Sequence, residues 1–169
     1  MARPELTRVP EFYHNYINQV PDDNLKAALE NSGSNLIFFL NKIPAEKHEF
    51  AYEDGKWTIK EILQHIIDAE RVFSYRALRF ARKDETPLPG FNENVFAANA
   101  NANSRNWKDL VEEFSVVMNA TELLFASFNE EQLEANGISN NHSIYVLGIG
   151  FICAGHRIHH QHIIQSKYL

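Results

Sequence analysis

The chain has 169 residues, of which 44% are hydrophobic, and its formal net charge is −6. This length and composition allow one buried core, so we expect a single domain over residues 1–169. The excess of acidic residues argues against a duplex nucleic-acid binder, and the single cysteine, Cys153, excludes an intrachain disulfide and a thiolate-rich metal cluster.

The N-terminal region shows neither a basic and apolar leader nor a regular period. Residues 1–9 therefore predict a loose N-terminal arm, and Pro10 to Ile17 predict a short helix with proline in its first turn. The run from Ile144 to Ala154 is too short to cross a bilayer. We expect a soluble, cytoplasmic protein that makes no contact with a membrane.

Four longer segments carry apolar residues at helical spacing. The first runs from about Pro21 to Pro44, and Gly33 is expected to bend or thin this helix without ending it. The second begins at Thr58, which forms a capping-box sequence with Glu61, and continues to about residue 82. The third covers residues 107–128. The fourth is predicted to be capped by Ser143 and to run nearly to the last residue.

A long connection, residues 83–103, separates the second and third of these helices. It is rich in proline and asparagine, and residues 91–100 predict a short helix within it. Residues 129–141 predict a polar return loop, and no segment shows the alternation typical of a strand. We therefore predict an all-α protein, a four-helix bundle with a long crossover connection between the second and third helices.

The predicted last helix contains four of the eight histidines within residues 155–162. His156 and His160 are four residues apart, so their imidazoles project from one helical face and can bind one cation. We expect His65, on the second helix, to be the third ligand, because ligands in bundles converge from facing helices. Neutral imidazole suits zinc, nickel, iron or manganese, and three ligands leave a position open. The alternative is that these histidines form an ordinary polar face.

Two residues are candidates to support this site. Asp68, one turn after His65, is a candidate to hold the second ring nitrogen of His65, the alternative being a salt bridge with Arg71 or Arg157. His159 flanks the predicted ligands, and both Asp68 and His159 are candidates for a general base. Arg157 stands where zinc proteases of the His-Glu-x-x-His type carry glutamate, which argues against that class.

Several segments resemble the DinB-like superfamily in their order and spacing, over about residues 10–169. They are Lys56 to Arg71, Tyr75 to Arg79, Pro87 to Phe91, and Gly155-His156 through His160 to Leu169. The resemblance implies a four-helix bundle in which His65, His156 and His160 bind a divalent metal. It also implies a small-molecule substrate and, as in many relatives, a homodimer.

The same resemblance implies which reactions the protein is expected to catalyse. Better understood relatives are transferases and isomerases that use a low-molecular-weight thiol, and many others are labelled only as metal-dependent hydrolases. We therefore predict first a metal-dependent transferase in which the ion activates a thiol cosubstrate. The alternatives are a hydrolase of a small ester or amide, and a non-catalytic bundle that binds a metal or another ligand. Selectivity is expected from the long connection, at Phe91, Asn92, Asn94 and Phe96.

Overall fold

Four long helices and several short elements make up the computed structural model, which describes residues 3–169. Residues 1–2 of the predicted arm lie outside the described residues. In chain order the helices and strands are α1 (His14–Gln19), α2 (Leu25–Leu40), α3 (Ile59–Ala81), α4 (Glu93–Asn99), α5 (Trp107–Ala126), α6 (Glu130–Glu134), β1 (Asn136–Ser139), β2 (His142–Tyr145) and α7 (Val146–Lys167).

The four long helices pack in a closed ring of neighbours. Helix α7 contacts α2 and α3, and α5 contacts the same two helices from the other side. Two hydrogen bonds join the start of α3 to the chain just before α5, because the Thr58 hydroxyl and the Lys60 ammonium both donate to Asn103. The long connection therefore begins at the end of α3 and returns to the level at which α3 begins.

Helix starts follow the capping signals in the sequence. The Thr58 hydroxyl accepts a hydrogen bond from the Glu61 backbone at 3.2 Å, and the Thr58 backbone donates to the Glu61 carboxylate at 2.7 Å, as the capping box predicts. Helix α2 continues without a break through Gly33. The prediction for Ser143 was wrong: this residue lies in β2, and α7 begins at Val146 without a side-chain cap.

A β-hairpin occupies part of the segment that was predicted to be a polar loop. Strands β1 and β2 pair antiparallel, and Asn140 and Asn141 form the turn with φ angles of 50° and 64°. A two-residue turn of this hand needs positive φ at both positions, which asparagine tolerates. The expectation of no strands was therefore wrong, because strands of only four residues are too short to show alternation.

The N-terminal segment, predicted to be a loose arm, is attached to the bundle from residue 3 onward. The Arg3 guanidinium donates to the carbonyl oxygens of Ile17 and Val20, at 2.8 and 2.7 Å. The backbone N–H of Glu5 donates to the Tyr145 hydroxyl at 2.7 Å, and Val9 is buried in the core. These partners are distant in the chain, so no local periodicity in the sequence predicts the contacts.

The apolar core forms two clusters along α7. One surrounds Phe151 and Ile152 in the first half of the helix, and the other includes Ile164 near its end, together with Leu63 and Phe114. Between these clusters in the sequence of α7 lie the polar residues His156, Arg157, His159 and His160. Within residues 3–169, none of the helices combines the length and the apolar character needed to span a bilayer.

Candidate metal centre

Three histidine side chains converge between α3 and α7. The Nε2 atoms of His65 and His160 each lie 3.0 Å from Nε2 of His156. One ring nitrogen from each residue lies within 4.8 Å of the other two. Nitrogens that bind one tetrahedral ion at the usual bond length are about 3.4 Å apart. The arrangement and the all-imidazole donor set therefore fit a divalent metal.

Aromatic rings enclose these imidazoles. The Trp57 ring centroid lies 4.9 Å from that of His65, and Tyr16 and Phe73 present their rings edge-on to His156 at 5.4 and 5.9 Å. His65, His156 and His160 are only 6%, 3% and 8% exposed. The rings limit rotation of the imidazoles and exclude bulk water from their nitrogens.

Burial keeps the three imidazoles neutral. It lowers the pKa of His65 to about 4, with a smaller contribution from His159. Burial also lowers the pKa values of His156 and His160 well below 6.5, and the neighbouring imidazoles lower them further. Neutral imidazole is the form that binds a metal, so the site is in the correct protonation state at neutral pH.

The pH dependence of the metal-free protein tests this protonation state. As pH falls through 6.5, His65 takes up a proton in the unfolded chain, but in the folded chain the His65 imidazole remains neutral until about pH 4. Stability present above pH 6.5 is therefore lost as pH falls toward 4. We expect the melting temperature to fall from pH 7 to pH 5 and the variant His65→Phe to show a weaker dependence. A melting temperature of the wild-type chain that stays constant over this range would contradict this.

The two supporting candidates have different surroundings. Asp68 accepts a hydrogen bond from Gln64 at 2.9 Å and lies 3.9 Å from the Arg71 guanidinium, and in residues 3–169 no hydrogen bond joins it to His65. His159 is half-buried, with its ring edge-on to Tyr16 at 5.0 Å and 5.1 Å from the ring of His160. Asp68 thus makes the contact with Arg71 that was the alternative, and His159 borders the cluster.

An ion pair beside the histidines was missed by sequence reasoning. The Arg157 guanidinium, fully buried, donates through Nη2 and Nε to the two carboxylate oxygens of Glu70, at 2.5 and 3.2 Å. It also donates to the Leu29 carbonyl oxygen at 2.9 Å. Arg157 stands between two core-facing histidines, which was a signal that its charge would need a buried partner.

Comparison with known proteins identifies the family. The profile of the DinB superfamily matches residues 28–164, a range that contains all three histidines. No curated protein matches the sequence significantly. Among solved structures, YfiT from Bacillus subtilis, described as a probable metal-dependent hydrolase with an unusual four-helix bundle topology, is similar with a TM-score of 0.74 and 15% identity, over 96% of this chain and 89% of that one. The matched range covers most of the chain, and the protein therefore belongs to the DinB superfamily.

Proposed function

We propose that the protein is a metal-dependent hydrolase of a small ester or amide, with His65, His156 and His160 as the ligands of one divalent ion. The observation that carries the proposal is the convergence of three Nε2 atoms, two of them 3.0 Å from the third. The description of YfiT as a probable metal-dependent hydrolase supports hydrolysis over the other reactions. Thiol-dependent transfer, which the sequence resemblance favoured, remains a prediction.

The protein's own residues have defined roles in this proposal. A divalent ion in such a site supplies Lewis acidity, which polarises a carbonyl and makes water a nucleophile near neutral pH. The three imidazoles would hold the ion, and Tyr16, Trp57 and Phe73 keep these imidazoles oriented and shielded from bulk water. His159 would accept the proton of the water, because its ring lies 5.1 Å from that of His160 and burial lowers the pKa of His159, which favours the neutral imidazole.

Helix α4 is proposed to form the rim that selects the substrate. It packs on α3, and the Phe91 and Phe96 rings contact each other with their centroids 5.1 Å apart. Burial raises the pKa of Tyr16, and the negative charge of Glu93 on α4 raises it further. Because Tyr16 packs on His156, this part of the connection lies beside the site.

Metal titration of single variants tests the ligand set. We expect one ion per chain for protein purified without a histidine tag. His65→Ala should weaken metal binding by more than about 100-fold, because loss of a ligand exceeds the 10- to 100-fold cost of losing an outer partner. His162→Ala is the matched control, since His162 is an exposed histidine on α7, the helix that also carries His156 and His160. Equal metal affinity in the two variants, or a wild-type chain that binds no ion, would refute the site.

Activity assays then separate the reactions. A panel of small esters and amides should be hydrolysed only by the metal-loaded protein, and without any added thiol. Turnover that requires a thiol would favour the transferase. Metal binding by His65, His156 and His160 without turnover in either assay would leave a binding protein and overturn the catalytic proposal.

A further inference from the structure

A cavity lies between α2 and α5, and none of the three clustered histidines lines it. Its volume is about 630 Å³, which is in the range of pockets that hold small molecules. Apolar side chains form most of its wall: Leu25, Leu29, Phe125, Phe128 and Leu133. Lys26 and Glu30 at its edge are 3.7 Å apart and neutralise each other.

Glu122 is the other charged residue of this wall, and its charge is only partly balanced. Its side chain is only 21% exposed, and in the described part of the chain its Oε1 atom is buried without a hydrogen-bond partner. The Arg157 Nη1 atom lies 3.9 Å away but donates to the Leu29 carbonyl and the Ser32 hydroxyl. The rest of that guanidinium binds Glu70. The Glu122 side chain is partly exposed where it lines the cavity, so a ligand that supplies a hydrogen-bond donor can bind the carboxylate there.

We propose that this cavity binds a small organic cation, with an ammonium group on a hydrocarbon body. The ammonium donates to the Glu122 carboxylate, which is the strong, charge-assisted type of hydrogen bond. The hydrocarbon packs against Leu25, Leu29 and Phe125, which removes apolar surface from water on both sides. An anion is disfavoured, because Glu122 repels it and the nearby arginine is already paired.

Binding of hexylammonium to the full-length chain tests the proposal. In ¹H–¹⁵N spectra we expect saturable shifts at residues of the cavity. Hexanol, with the same hydrocarbon and no charge, should bind about tenfold more weakly or worse, as expected when a charged hydrogen bond is replaced by a neutral one. Glu122→Gln should weaken hexylammonium binding by a similar factor. Glu46→Gln is the matched control, since Glu46 is an exposed glutamate outside the cavity, and it should change the affinity by less than about threefold.

Three outcomes would overturn the proposal: equal binding of hexanol, undiminished binding to the folded Glu122→Gln variant, or shifts that map to the histidines. The melting temperature of Glu122→Gln shows whether this variant is folded. The comparison of hexylammonium with hexanol on the wild-type chain needs no variant and stands whatever that measurement shows. Because the clustered histidines do not line the cavity, the outcome of the hexylammonium experiment is independent of metal binding.

Discussion

Arg157→Met is expected to lower the free energy of unfolding by about 3–5 kcal/mol, the cost typical of breaking a buried ion pair from one side. In the wild-type chain both carboxylate oxygens of Glu70 bind Arg157, and the two side chains are essentially inaccessible to water. The variant leaves the Glu70 carboxylate without its cation and also frees the Leu29 carbonyl oxygen. Urea denaturation of the metal-free protein measures the loss.

The double variant Glu70→Leu with Arg157→Met separates the cost of the unpaired Glu70 charge from the cost of the other contacts that Arg157 makes. It removes both charges, so it should recover much of the stability lost in the single variant. Lys83→Ala is the exposed control, since its partner Glu131 is also on the surface, and this change should cost less than about 1 kcal/mol. A single Arg157→Met variant as stable as Lys83→Ala would show that the buried pair is not needed for stability.

Gly155→Ala is expected to destabilise the protein by about 3 kcal/mol or more, although alanine normally favours a helix. A Cβ atom at Gly155 would lie 2.1 Å from the backbone carbonyl oxygen of Tyr16. Because this neighbour is backbone, α1 as a whole must move away from α7. Tyr16 packs on His156, so the variant should also weaken metal binding. Thermal unfolding and metal titration measure the two effects.

Gly33→Ala is the matched control for this substitution. A Cβ atom at Gly33 would meet the Met118 sulfur atom at 1.9 Å, a closer approach than at Gly155. The methionine side chain is flexible and can adopt another rotamer, and alanine gains helix propensity. We therefore expect a change of less than about 1 kcal/mol at Gly33. If both variants lost equal stability, rigidity of the neighbour would not be the deciding factor.

Local signals in the sequence were sufficient for several parts of the fold. Thr58 and Glu61 are three residues apart, so their capping box depends on no distant residue, and it marked the start of α3. The spacing of His156 and His160 likewise follows from helical geometry alone. The nearby position of His65 needed the further assumption that the second and last helices face each other.

Contacts between distant residues could not be predicted in the same way. Glu70 and Arg157 are 87 positions apart, and several acidic residues were equally plausible partners for that arginine. The hydrogen bond between Glu5 and Tyr145 spans 140 positions, so residues 3–9 looked unattached. The hairpin was missed because its turn is Asn-Asn, a weaker signal than Asn-Gly.

The hairpin also divides the long connection into two parts that differ in their tolerance of insertions and deletions. The Leu88 backbone donates to Ile138 and accepts from Asn140, at 2.9 and 3.0 Å, and the Arg76 guanidinium donates to the Pro89 carbonyl oxygen at 3.0 Å. The chain up to Pro89 is thus anchored, whereas most of α4 is exposed. Insertions and deletions in this outer stretch would leave the four long helices intact, so new ligand preferences can evolve there without a new scaffold.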